Sequence, residues 1–171
     1  MLRVIGIWIS YVWFYYWELW EEVVEVSRKG KRLSSFKLGK YSKSSANGIC
    51  IDEKTDTIWV LCTEKYLLKF DANGKILKET ELNYHAQDHI CMFDKKIFVT
   101  VGDDYQGKDN YVCRISPESG KIEALYQVND SNALEGILVY KDNLYIVNDG
   151  LYHSDKQGCS YLTEYSMNEF K

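Results

Sequence analysis

One proline, Pro117, stands in 171 residues, and the sequence has no CxxC pair, no GxSxG elbow and no glycine-rich phosphate loop. These absences exclude a zinc knuckle, an α/β-hydrolase nucleophile and a phosphate-cradling nucleotide site. An excess of basic residues is also missing. With a net charge of -4, the chain offers no general attraction for nucleic acid or anionic lipid, and neither is expected as a partner. The five cysteines are Cys50, Cys62, Cys91, Cys113 and Cys159, an odd number that cannot all pair within one chain. Buried free thiols in a reducing compartment follow, so a cytoplasmic location is expected. What is present in quantity is aromatic: 14 Tyr, 6 Phe and 5 Trp. That load with so little proline favours a folded, sheet-rich domain over disorder. A chain of this length buries roughly 70% of its unfolded surface, enough for a real core.

The run VIGIWISYVWFYYWELW, from Val4 to Trp20, raises the question of a membrane anchor. Its uncharged part, Val4 to Trp17, has 14 residues. As a helix that is about 21 Å, against a hydrocarbon core of roughly 30 Å. It holds neither Leu nor Ala, and strand formers dominate it. A secretory signal or anchor, with Arg3 as a thin positive region, is the alternative to a strand-forming segment. No small-residue cleavage site follows before Glu21 and Glu22.

Self-comparison decides the fold. Three segments share one pattern: ANGICIDEKTDTIWVLCTEKYLLKFDANGKI from Ala46, AQDHICMFDKKIFVTVGD from Ala86, and ALEGILVYKDNLYIVNDG from Ala133. In each, a short strand leads through a polar turn to a β-branched and aromatic second strand: Ile58 to Cys62, Ile97 to Val101, Leu144 to Val147. A third strand then enters a Gly-Lys turn at Gly74 and at Gly120, and VVEVSRKGK carries the same turn at Gly30. The spacings are 74 − 30 = 44 and 120 − 74 = 46. A period near 45 made of strands is the signature of propeller blades.

The expected fold is therefore all-β, a β-propeller of about four blades with four antiparallel strands each, read here as one partial propeller domain. The blades span approximately residues 3–45, 46–85, 86–132 and 133–171. The last is incomplete, as in a fragment or one half of a larger propeller, and open propeller edges predict self-association. An ungapped slide of the second repeat by 44 residues sets Ile49 and Ile51 on Ile5 and Ile7, and Ile58 to Cys62 on Phe14 to Glu18. This makes the opening run a first blade. Its turn, ISYVW, is a poor one.

In such a blade the start of the first strand and the end of the second share one rim of the central channel. Asn47, Asp88 and Glu135 then take equivalent positions in successive blades, with Asp103, Asp104, Asn148 and Asp149 on the same side. Converging oxygen donors suit a hard cation, so Asn47, Asp88 and Glu135 are the candidate ligands of a calcium ion. The competing reading makes them turn formers and solvated acids. His85, His89 and His153 map near the same rim and read as loop histidines. Two links after second strands are long, GDDYQGKDN from Gly102 and NDGLYHSDKQG from Asn148. Asp103, Asp104, Tyr105, Asn148, Asp149, Tyr152 and His153 in them are candidate ligand-binding residues for a peptide, glycan, small molecule or protein. The basic cluster Ser27 to Arg32 falls on an outer hairpin turn.

The starts ANGICID and ALEGILVY resemble the NHL-repeat and senescence-marker/gluconolactonase type of propeller. That resemblance implies a metal role for Asn47 and Glu135, where the Asn-Gly and Glu-Gly motifs match. Asp88 matches by position only, because His89 follows it in place of Gly. Arg3 occupies the first blade's place with the wrong charge, and the Asp-Gly motif of the family's site is missing. For a lactonase of this type the resemblance implies a metal-polarised carbonyl and a water activated by Asp149 or Asp88. The leading reading is a binding or scaffold module with a calcium site at the channel mouth, and the alternative is a metal-dependent lactonase-like hydrolase.

Overall fold

The computed structural model describes residues 4–10, 20–41, 46–62, 65–82, 87–102, 109–129, 131, 133–148 and 160–170, and for 4–10, 20, 21 and 87 the backbone only. The chain forms two compact units, Met1–Leu82 and Asn83–Lys171, with two antiparallel sheets in each.

In the first unit, β1 (Val4–Ser10), β2 (Trp20–Val26) and β3 (Arg32–Lys37) form one sheet in chain order. The second sheet is β4 (Ala46–Asp52), β5 (Thr57–Cys62), β6 (Tyr66–Asp71) and β7 (Ile76–Glu81). The second unit opens with β8 (Gln87–Phe93), β9 (Lys96–Val101), β10 (Tyr111–Ile115) and β11 (Ile122–Gln127). It continues with β12 (Leu134–Tyr140), β13 (Asn143–Asn148) and β14 (Tyr161–Ser166), and a 3-10 turn at Met167–Phe170 follows. Within each sheet every strand pairs with its neighbour in sequence, the up-and-down meander of a propeller blade.

The three Gly-Lys turns share one plan, and the third is one residue longer than the other two. Gly30, Gly74 and Gly120 have φ of 76°, 82° and 73°. In each, the glycine N–H donates to the carbonyl of the residue that opens the turn, Ser27, Asp71 or Ser116, at 2.9, 3.1 and 2.8 Å. The opening side chain accepts further amides: Ser27 Oγ from Lys29 and Lys31, Asp71 Oδ1 from Asn73 and Lys75, Ser116 Oγ from Ser119. The pairing register slips by one residue beside each turn, the bulge that a left-handed glycine introduces. The basic residues Arg28 to Arg32 are exposed on the first of these turns.

Gly74 is constrained twice, because a Cβ there would also run into the ring of Phe36, which stacks on Phe70 at 5.0 Å. Gly74→Ala is expected to cost about 1–3 kcal/mol, read as a lowered urea midpoint with unchanged slope.

One expected equivalence is corrected. β2 runs into the Gly30 turn as β6 runs into the Gly74 turn, yet β2 pairs directly with β1, from Val4 opposite Val26 to Ser10 opposite Trp20. Val4–Ser10 therefore takes the second-strand place held by β5 in the next sheet, not the first-strand place to which the ungapped slide assigns Ile5 and Ile7. The segment Phe14 to Glu18 lies outside the described residues. So do Arg3, Trp13 and Trp17, and the side chains of Trp8 and Trp20. Among the described residues no helix is long and apolar enough to cross a membrane.

Each unit has its own core. In the first, Val23 and Leu38 pack with Ile58, Val60, Leu68 and Phe70 of the second sheet. In the second, β12 lies against β8 and β9, and Ile137, Leu144 and Ile146 pack on Cys91, Phe98 and Val112. All six residues of β5 are buried, and so are five of the six of β9, so both faces of these strands are shut off from water. Their unbroken apolar runs fit that position. Cys91 and Cys113 are free thiols. Burial pushes Cys91 and Cys113 up to about 12, which leaves them unreactive packing residues.

Candidate functional site

β4, β8 and β12, the first strands of their sheets, carry a register irregularity at the same place. The pairing slips between Ala46 and Gly48, between Gln87 and Ile90, and between Leu134 and Ile137. Each slip contains one of the residues singled out as metal candidates: Asn47, Asp88, Glu135. A bulge carries one more residue than its partner strand can pair, and it re-aims the side chains there. The repeated Asn, Asp and Glu sit on strand bulges. Asn47 and Glu135 are exposed and Asp88 is half-buried.

Asn47 belongs to the first unit and Asp88 and Glu135 to the second, where one side chain ties the two bulges together. Thr100, fully buried in β9, accepts the His89 N–H on Oγ1 at 3.0 Å and donates that hydroxyl to the Glu135 carbonyl at 3.3 Å. The bulge in β8 frees an amide from its ladder partner, and the Thr100 hydroxyl satisfies it. The same hydroxyl then pins the β12 bulge beside it. Sequence reasoning missed Thr100. Its signal is a polar residue in the apolar run IFVTV, where the equivalent strands have Leu61 and Val147.

His89 stands within β8 and not in a preceding loop. Burial holds its imidazole below the usual histidine range. The unfolded chain takes up a proton below about pH 6.5 that the folded imidazole resists. Stability contributed by the neutral ring is therefore complete above that pH and is lost as pH falls below it. The urea midpoint is expected to drop between about pH 7 and about pH 5 by more in the parent than in His89→Gln. An equal drop in both would assign the loss to other groups.

Asn148 closes β13 opposite Leu134, beside the β12 bulge, and is fully buried. Its Nδ2 donates to Thr163 Oγ1 at 3.2 Å, while Oδ1 is buried without a hydrogen-bond partner. Its amide clamps β13 to β14 from inside the sheet. On the third sheet, Asn110 is buried and its Nδ2 donates to the Ser131 carbonyl at 2.8 Å, while its own carbonyl receives the Val128 N–H at 2.8 Å. A Cβ on Gly102 would collide with Asn110 Oδ1, so the link after β9 leaves the sheet through a glycine. Asp103, Asp104, Tyr105, Asp149, Tyr152 and His153 lie outside the described residues, as do His85 and Cys159.

A metal needs converging donors. Among the described residues no group of three or more His, Cys, Asp or Glu side chains is placed to hold one. What the second unit does assemble is a pair of acidic bulges, Asp88 and Glu135, on neighbouring strand starts.

No family model and no curated protein matches the chain. Solved structures do match. A protein of unknown function from Bacteroides caccae aligns at 19% identity and a TM-score of 0.63, over 86% of this chain and 56% of that one. The WD40 domain of Neurospora crassa Pan2 aligns at 16% identity and 0.62, over 86% and 44%. A chain of the nidogen–laminin complex aligns at 11% identity and 0.63, over 87% and 55%. With four meandering sheets, these likenesses define the class: the chain is built of β-propeller blades. The likeness reaches the propeller fold and no family within it, and the chain spans about half the length of the solved chains it matches.

Proposed function

We propose that the chain is a β-propeller binding module and that its recognition surface in the second unit is the strand-start rim carrying Asp88 and Glu135. The observation behind this reading is the Thr100 hydroxyl, which holds two adjacent bulges in one fixed arrangement and turns a repeated sequence position into a built surface. By sequence, long polar links follow β9 and β13. The nidogen–laminin structure among the matches supports a protein or peptide as the partner class. Free thiols at Cys91 and Cys113 support a reducing compartment.

Selection from a displayed peptide library should yield binders that lose at least about tenfold in affinity, about 1.4 kcal/mol, on Asp88→Ala/Glu135→Ala. If every selected peptide binds parent and double variant alike, the rim is not the recognition surface.

Calcium is the finer form of this reading: of the expected ligands Asn47, Asp88 and Glu135, the last two stand on neighbouring strand starts of the second unit, while Asn47 belongs to the first. The equivalent bulges of Asp88 and Glu135 favour it, and the absence of a three-residue His, Cys, Asp or Glu group among the described residues counts against a closed cage. Millimolar calcium should raise the melting temperature by binding the native state, and Glu135→Ala should abolish the gain. No shift in the parent would remove calcium and leave the peptide rim standing. For the lactonase alternative, Asp149 lies outside the described residues and Asp88 has no such metal-holding group around it among them, so no catalytic step is assigned.

A further inference from the structure

We propose that the outer edge of β14 is a docking site for an extended basic peptide, which pairs antiparallel along Leu162 to Glu164 and sets a Lys or Arg against Glu164. The inference is independent of the rim reading.

β3, β7 and β11 cover the outer edges of β2, β6 and β10, whereas among the described residues β14 has a strand, β13, on one side only. Register fixes the equivalence. Val101 stands opposite Gln87 and Tyr111, and Asn148 stands opposite Leu134 and Tyr161. Leu162 and Glu164 therefore hold the places of Val112 and Arg114. In the third sheet the Asn110 carbonyl receives the Val128 N–H, and the Ser116 N–H donates to the Lys121 carbonyl. Backbone groups alternate sides along a strand, so Val112 and Arg114 also bond on the β11 side. By the same alternation Leu162 and Glu164 turn their backbone groups to the outer edge of β14. The next outward amide, of Ser166, donates to Glu169 Oε1 at 3.2 Å. From there the chain enters the 3-10 turn, which is bonded to β10 and β11 and does not double back along β14.

The other sheets show which strand chemistry fits such an edge, because each outer strand carries charge opposite to that of the groups it meets. Glu81 of β7 pairs with Lys65, next to β6, at 2.8 Å. Glu123 of β11 pairs with Lys96 at 2.6 Å and with Arg114 at 3.5 Å. In the first sheet the signs are exchanged: Arg32 of β3 donates to both carboxylate oxygens of Glu22 on β2, at 2.9 and 2.8 Å. The strands of the fourth sheet hold two charged residues, Glu135 and Glu164, both acidic. They call for a strand of the β3 kind. Glu164 is exposed, and its partner Asn143 Nδ2 is an amide that leaves the charge uncompensated. Lys141, in the turn between β12 and β13, lies over the Tyr140 ring at 5.2 Å, two strands away from this edge.

A second position is defined as well. Val23, Val112 and Leu162 each lie four residues before the serine that ends the outward series, Ser27, Ser116 or Ser166. Phe36 stands opposite Val23 and Tyr126 opposite Val112. An aromatic in the peptide would cover Leu162, which is 62% exposed. In antiparallel order the ligand then reads base, any residue, aromatic, with its main chain bonded to the edge and its side chains giving the preference.

Fluorescence anisotropy with the whole chain tests this on labelled, capped peptides of about eight residues, Ser and Thr around a central Arg-Thr-Tyr. The Arg peptide should bind the parent at least about threefold more tightly than the same peptide with Glu for Arg, and Glu164→Lys should reverse that order. Binding should slow hydrogen exchange at the Leu162 and Glu164 amides. N-methylation of the peptide's tyrosine amide, which removes a ladder donor, should abolish it. No binding by the parent up to about 1 mM, equal affinity for the two peptides, or undiminished binding of the N-methyl peptide overturns the proposal. Should Glu164→Lys misfold, the comparison of the two peptides on the parent decides by itself. A parent dimer in sedimentation velocity that the Arg peptide leaves intact also overturns it and gives the edge to a second copy. Asp88→Ala/Glu135→Ala should keep the parent's affinity for the Arg peptide; a loss there would assign the peptide to the rim and overturn the edge.

Discussion

Deletion of residues 1–20 is expected to convert a dispersed protein into one that aggregates. The reason lies in β1. It pairs with β2 over seven residues and runs beside β4, so its removal leaves the β2 backbone as an unpaired edge. Val23 and Val24 on β2, 2% and 3% exposed in the intact chain, lose the strand next to them. An open edge above an apolar face recruits other molecules, and burial stabilises such contacts by roughly 25 cal/mol per Å². Light scattering and the soluble fraction after expression measure the outcome. A membrane anchor would behave in the opposite way, since its removal would leave a better-behaved soluble domain.

Phe170→Ala is expected to destabilise the second unit by about 3–5 kcal/mol, the cost of emptying a buried aromatic site. Its ring, 5% exposed, lies 4.9 Å from that of Tyr126 and 5.8 Å from that of Tyr165. The 3-10 turn Met167–Phe170 thereby covers strands of two sheets. The Phe170 carbonyl accepts from Arg114 Nη1 at 2.9 Å and from the Tyr126 hydroxyl at 2.7 Å, which locks the turn to β10 and β11. Tyr126→Phe removes one of those bonds and keeps the ring contact, so it should cost only about 1 kcal/mol. Urea unfolding followed by circular dichroism measures both. Equal, small effects would mean that the turn contributes little to the second unit.

The sequence by itself determined the parts of this protein that depend on local chemistry repeated at a fixed interval. Gly30, Gly74 and Gly120 report a left-handed residue at the end of each third strand, because that backbone conformation favours a residue without a Cβ. The apolar runs at Ile58, Ile97 and Leu144 report second strands, because alternation and β-branching are readable without knowing what lies opposite. The equivalence of Asn47, Asp88 and Glu135 follows from the same interval. The tertiary structure decided everything that depends on pairing across the interval. It gave Val4–Ser10 the second-strand place, which an ungapped alignment cannot see because pairing tolerates a longer connection. Those three residues stand on bulges because one strand has a residue more than its partner can match. Thr100 serves two strands through one hydroxyl, and nothing in IFVTV names either partner. The strands β5, β9 and β13 read alike, yet only β13 keeps an open face. Periodicity records that a side chain is apolar, whereas burial depends on which sheet comes to lie against it.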